Sequence, residues 1–148
     1  MDGHDFSVLV ARELDRLAGE IGAYEDEADL WVVRGGQQNA PGTLALHICG
    51  FLQHFIGAAL GATGYVRDRP GEFADRVSRA ELLEGIAQCR GVVTEVLDGL
   101  GAGALDAEYP GEAPERMVGV RTGAFLVHLV WHMGWHLGHI YYHRLSLL

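Results

Sequence analysis

The 148-residue chain predicts an all-α fold, a four-helix bundle with a long crossover between helices two and three. Three observations lead there. Apolar residues recur at three- and four-residue spacing in four separated stretches, Gly- and Pro-punctuated segments divide them, and no stretch alternates with a strand's period of two. With 49% hydrophobic residues, the chain is long enough to bury one core, as a single domain over 1–148.

Helix one is expected over residues 2–28, where Phe6, Leu9, Val10, Leu14, Leu17, Ile21 and Tyr24 fall on one face. Arg12, Glu13, Arg16 and Glu20 are expected on the outward face. The segment WVVRGGQQNAPGT breaks this pattern at Gly35, Gly36, Pro41 and Gly42. Thr43 then reads as the N-cap of helix two, 43–63, which ends in the glycines at 61 and 64. The following GYVRDRPGEFADRV reads as loop, being too charged and too Pro/Gly-rich for a core element. Ser78 and Glu81 form a capping box opening helix three over 79–100. After another loop, Thr122 caps helix four, which runs to about Leu145. The 14 or so residues between helices two and three reach about 45 Å when extended, against about 30 Å for a helix of this length. A parallel pair joined by a crossover is therefore sterically open.

Charge narrows the partners. Asp and Glu number 20 and Lys and Arg 11, all of them Arg, for a net charge of −9. This disfavours both wrapping around nucleic acid and docking on anionic lipid. The stretches 43–65 and 122–143 carry no formal charge and are long enough to span a bilayer. They also hold seven histidines and Gln53, which are costly in hydrocarbon, so no membrane role is expected. Cys49 and Cys89 are too few for a disulfide framework and read as buried free thiols. The first residues show no export signal, and a cytoplasmic protein is expected.

The run HLVWHMGWHLGHIYYHR, residues 128–144, places five histidines in seventeen positions. At about 100° per residue, His128, His132, His136, His139 and His143 share one arc of about 80°. Aliphatic residues fill the arc on one side, and Trp131, Trp135 and Tyr142 lie on the other. The stripe therefore reads as facing an interior or a cleft, with core packing expected for at least one of the two tryptophans. Imidazoles four residues apart can converge on one ion, and neutral imidazole suits Zn, Ni, Cu or Fe. The stripe is about 22 Å long, so only one adjacent pair can serve an ion: 128/132, 132/136, 136/139 or 139/143. A third ligand must come from helix two, from His47 or from His54, about 10 Å apart along its axis. No HExxH is present, which removes the metalloprotease reading, and helices two and four lack the carboxylates of a di-iron bundle. The plainer alternative is a set of hydrogen-bonded core histidines.

Two runs, PGTLALHICGFLQHFIGAALGATGYVRDRPGEF and HLVWHMGWHLGHIYYHR, resemble the DinB-like superfamily of metal-binding four-helix bundles. The resemblance covers nearly the whole chain in order and spacing. It implies a metal triad at His47, His132 and His136, one divalent transition metal per chain (Zn or Ni foremost), and a homodimer. Where relatives often have Gln, this chain has His139. Function varies among the proteins it resembles, which include thiol S-transferases and thiol-dependent isomerases. The expectation is a thiol S-transferase using bacillithiol, mycothiol or another low-molecular-weight thiol, with a small electrophile as second substrate. A metal-bound thiol is ionised more easily than a free one. Arg67 and Arg69 are then candidates for binding an acidic group of the cofactor, against the plainer reading of a solvated loop with an Arg–Asp pair. His128 and His139 are the nearest candidates for a proton shuttle. Two rival readings are a non-enzymatic, metal-binding or stress-related bundle and a metal-dependent hydrolase.

Overall fold

The computed structural model describes residues 1–148, all-helical, with five helices and a single isolated bridge between Glu108 and Arg121. Helix α1 spans Gly3–Gly22, with Asp2 and Asp5 forming a reciprocal capping box. It ends earlier than its periodicity suggests. Glu25 and Asp26 lie in a turn, and Asp26 caps a separate 3-10 turn over Glu27–Trp31. Tyr24 is buried outside the helix, so apolar spacing ran on after the backbone had turned. Glu13, expected on the outward face of α1, is buried.

Helix α2 occupies Pro41–Gly61. Its N-cap is Ala40, not Thr43, because Pro41 takes the first helical position, where its fixed φ is pre-organised and its missing N–H costs nothing. Residues Gln53–Ala58 widen into a π-helical stretch. The segment expected to be loop contains a short helix α3, Arg69–Ala74, capped by Asp68. Helix α4, Arg79–Asp98, opens on the Ser78/Glu81 capping box as expected. Helix α5, Thr122–Leu145, has Arg121 at its N-cap and Thr122 buried in its first turn, one position from expectation.

A core cluster of 25 buried residues joins the four long helices. Each helix supplies a stripe: Phe6, Val10, Leu14, Leu17 and Ile21 from α1, and Leu82, Ile86, Cys89, Val93 and Leu97 from α4. Truncating one such fully buried Leu or Ile to Ala costs about 2–5 kcal/mol. Helices α1 and α4 run antiparallel, with His4 bonded to Asp98 and Asp15 to Arg90. Helices α2 and α4 run in the same direction, because the Cys89 thiol reaches the Cys49 carbonyl and Val96 packs on Gly61. Residues 62–78 return the chain between them. Helix α5 lies antiparallel to α2, with Phe125 against Phe55 and His132 against Phe51.

Helix α2 is long and apolar enough to cross a membrane by length and composition, and half of its most apolar window is buried inside the fold. Both cysteines are free; Cys89 is fully buried and Cys49 half-buried.

Candidate metal centre

The antiparallel crossing of α2 and α5 brings three histidines of the sequence reading to one level. His132 and His136 are one turn apart on α5, their rings 4.4 Å apart and their Nε2 atoms separated by 3.0 Å. The His47 ring lies 5.8 Å from that of His132 and 5.1 Å from that of His136. One ligand atom from each of the three falls within 4.8 Å of the others. Phe51, one turn after His47, packs edge-on against both His47 and His132 and closes the inner side.

A group that sequence reasoning missed holds His47 in place. Glu72, in the short helix α3, is 6% exposed and accepts a hydrogen bond from His47 Nδ1 at 2.9 Å. That bond presents Nε2, the other ring nitrogen, for ligation, the usual arrangement behind a metal-binding histidine. Arg67 secures the carboxylate, donating from Nε at 2.7 Å and from Nη2 at 2.8 Å. Gly50 makes room, because a Cβ there would overlap the Glu72 carboxylate. The signal in the sequence is slender: a Gly three residues after His47, on the same helix face, and a Glu in a segment read as loop.

Electrostatics keep the trio neutral. Burial, reinforced by His47, His128 and Arg67, lowers the His132 pKa to about 4. Burial, with His132, His47 and His139, lowers that of His136 to about 3. Burial also lowers His47, against the opposing pull of Glu72. Neutral imidazole is the form that ligates a metal. The 3.0 Å between the two Nε2 atoms approaches the edge of about 3.3 Å of a tetrahedron with Zn–N bonds of about 2.0–2.1 Å. His136 Nδ1 is buried without a hydrogen-bond partner, so the ring is held by packing and by whatever its other nitrogen binds. The residues present fit a divalent transition metal.

The trio opens into a cavity of about 490 Å³, walled by Phe51, Phe55, Phe73 and Phe125, with Arg69 and His128 also facing it. No carboxylate lines it. His128 stacks on His132 with ring centroids 6.0 Å apart. The two arginines have separate surroundings. Arg67 is committed to Glu72, not to an aspartate as the loop reading had it. Arg69 stacks over the Phe73 ring at 5.2 Å and has no ion-pair partner.

The remaining histidines stand apart. His139 lies outside the Phe-lined cavity, with its ring edge-on to Trp135 at 5.0 Å. His143 is 2% exposed, paired through Nδ1 with the Tyr24 hydroxyl and donating from Nε2 to the Val32 carbonyl. It pins the first loop to the end of α5. His54 packs on Phe55 away from the trio. Trp131 and Trp135 are 59% and 56% exposed and stack on each other, which corrects the expectation of core packing for at least one. Trp31 lies over Gly42 at the start of α2 and does not line the Phe-walled cavity.

No curated protein and no solved structure matches the chain. A family model described as the DinB superfamily matches residues 10–140, which take in the three histidines, Glu72 and all five helices in whole or in part. With that match across all but the two ends, and three histidines grouped so that they could hold a metal, the chain belongs to the DinB superfamily, a metal-binding family.

Proposed function

We propose that the protein is a metal- and thiol-dependent S-transferase with His47, His132 and His136 as the ligands of one Zn or Ni ion. The observation that carries the reading is a set of three neutral imidazoles at the wall of a Phe-lined cavity in whose lining Arg69 stands without a counter-charge and no carboxylate appears. A divalent ion held there supplies Lewis acidity that favours thiolate over thiol. Glu72 and Arg67 orient His47, and the four phenyl rings limit water at the reacting atoms. A ring nitrogen of His128, which faces the cavity, takes the thiol proton. The thiolate then forms a C–S bond to an electrophilic carbon. An alkyl halide loses halide with the bonding pair. An opened epoxide keeps the pair on its oxygen and an activated alkene takes it onto its far carbon, and each of these two recovers the proton held by His128. His139 is the more remote candidate for the proton, with its ring centroid 6.3 Å from that of His136. Arg69 receives an acidic group of the thiol or of the electrophile, a role supported by its position in the cavity lining.

Around this centre the fold is read as a four-helix bundle in which 62–78 is the crossover, a reading supported by the parallel course of α2 and α4. A single domain, a cytoplasmic location and a homodimer complete the proposal.

Elemental analysis of tag-free protein tests the site first. About one ion per chain is expected, lost in both His47→Ala and His132→Ala. The loaded protein is then assayed with bacillithiol, mycothiol and glutathione against epoxides, alkyl halides and activated alkenes. Turnover that requires thiol supports the transferase. Ester hydrolysis indifferent to thiol identifies a hydrolase, and bound metal without turnover of either class identifies a non-enzymatic metal-binding bundle.

A further inference from the structure

The geometry points to two chambers that adjoin at His136: the cavity under Trp135 takes a neutral, hydrogen-bonding portion of one reactant, and the Phe-lined cavity, which all three histidines face, takes an apolar anion. This inference rests on the two-reactant reading above and names the chemistry of each half of the site.

The second cavity has a volume of about 480 Å³. It shares Gln38, Asn39, Leu44 and His136 with the first, so His136 stands in the wall between them. Its own lining adds Gly36, Gln37, Trp135 and His139. No charged side chain faces it. Gln37 donates from Nε2 to the His139 carbonyl at 3.2 Å, which ties the first loop to α5. Its amide oxygen has no partner within the chain and is free to accept. The amides of Gln38 and Asn39 offer both donors and acceptors. Trp135 contributes a flat, half-exposed face held edge-on by His139. Amide groups around an aromatic face, with no charge to desolvate, suit an uncharged ligand bearing amides or hydroxyls.

The first cavity has the opposite character. Phe73 stands between His47 and Arg69, its ring 5.1 Å from the His47 ring and 5.2 Å from the guanidinium carbon. A ligand with an apolar body and one carboxylate thus reaches Arg69 with its acid while its other end faces the histidines. In a chain of net charge −9, a cavity whose lining holds the unpaired Arg69 and no carboxylate, the Arg67 charge being offset by Glu72 behind it, is a local reversal of sign. Two reactants held in adjoining chambers on either side of His136 approach one another without filling the same space, the condition that makes a bimolecular step effectively intramolecular.

The test reads binding, not turnover. Zinc-loaded, 15N-labelled protein is titrated with N-acetylcysteamine, a neutral amide-bearing thiol, and with 3-phenylpropionate, an apolar anion. The chain has three tryptophans, and Trp135→Phe identifies the Trp135 indole resonance. N-Acetylcysteamine is expected to move that resonance and leave that of Trp31 in place, with an affinity changed by less than about twofold when 3-phenylpropionate is saturating. Gln37→Ala should weaken N-acetylcysteamine about fivefold, the worth of one hydrogen bond, without affecting 3-phenylpropionate. Arg69→Gln should weaken 3-phenylpropionate about tenfold, the worth of one charge-assisted contact, and spare N-acetylcysteamine. Mutual displacement of the two ligands, an unmoved Trp135 resonance, or equal effects of the two variants on both ligands would overturn the two-chamber assignment. A protein without transferase activity that still binds both at once would refute the proposed reaction and leave the chambers standing.

Discussion

Replacing Glu72 by Gln tests the network behind the metal centre. The side chain keeps its shape but loses its charge and one acceptor oxygen. In the native protein the two carboxylate oxygens receive three hydrogen bonds, from His47 Nδ1 at 2.9 Å and from Arg67 at 2.7 and 2.8 Å. A Gln amide has one acceptor atom and one donor group, so it cannot satisfy both partners. Loss of an outer-shell carboxylate commonly lowers metal affinity about 10–100-fold, or about 1.4–2.7 kcal/mol. Stability falls too, because the Arg67 guanidinium loses its counter-charge. Removing one partner of a buried pair costs about 3–5 kcal/mol. The Arg67 side chain is 13% exposed, which places the expected cost near about 3 kcal/mol. Zinc affinity by competition with a chromophoric chelator, and stability by urea unfolding of the metal-free protein, separate the two effects. The double variant Glu72→Gln/Arg67→Met should recover stability but not affinity. A Glu72→Gln protein that binds zinc within about twofold of wild type would refute the orienting role and reduce Glu72 to a counter-ion for Arg67.

Three further outcomes are expected. In metal-free protein, His132 and His136 take up protons only near pH 4 and pH 3, against 6.5 for an unperturbed histidine. Their contribution to stability is therefore complete above pH 6.5 and is lost as pH falls from there toward 4, because only the unfolded chain binds protons in that window. Urea unfolding from pH 7 to 5 should show the decline, with a shallower slope in His132→Asn; equal slopes would contradict it. Gly50→Ala should push Glu72 off α2, costing about 1–3 kcal/mol as overpacking does and lowering zinc affinity in parallel; wild-type values in both assays would show that the carboxylate does not need the glycine. His143→Ala should cost about 2–4 kcal/mol through a cavity and the unpaired Val32 carbonyl, while elemental analysis finds metal content unchanged; lost metal would make His143 part of the centre.

Much of the architecture is written in short-range pattern. The 3.6-residue period of apolar positions marks the four long helices, the Ser78/Glu81 box sets the start of α4, and the uncharged runs mark the helices that carry histidines. These features depend on residues within a turn or two of one another, so a sequence displays them directly. The same reading overran the end of α1, since Tyr24 keeps the apolar spacing although the backbone has already left the helix. It also placed the start of α2 at Thr43, where Pro41 prevails.

Side-chain meetings across the fold were settled elsewhere. Periodicity alone left four histidine pairs on α5 and two partners on α2 open, and the resemblance to a family singled out His47, His132 and His136. The crossing of α2 and α5 supplies the physical reason they meet, because it brings His47 level with His132 and His136, while Tyr24, just past the end of α1, takes His143 out of the set by pairing with it. Glu72 was illegible for the same reason. It lies 25 residues from His47 in the chain, and its hydrogen bond exists only because a short helix folds back over Gly50. Trp131 and Trp135 show the converse, since a helical wheel gives an angle but does not say whether another helix lies there. Local sequence determined which faces were apolar and where histidines recur; only the packing of distant segments decided which face meets which, because that depends on the free energy of the whole assembled core.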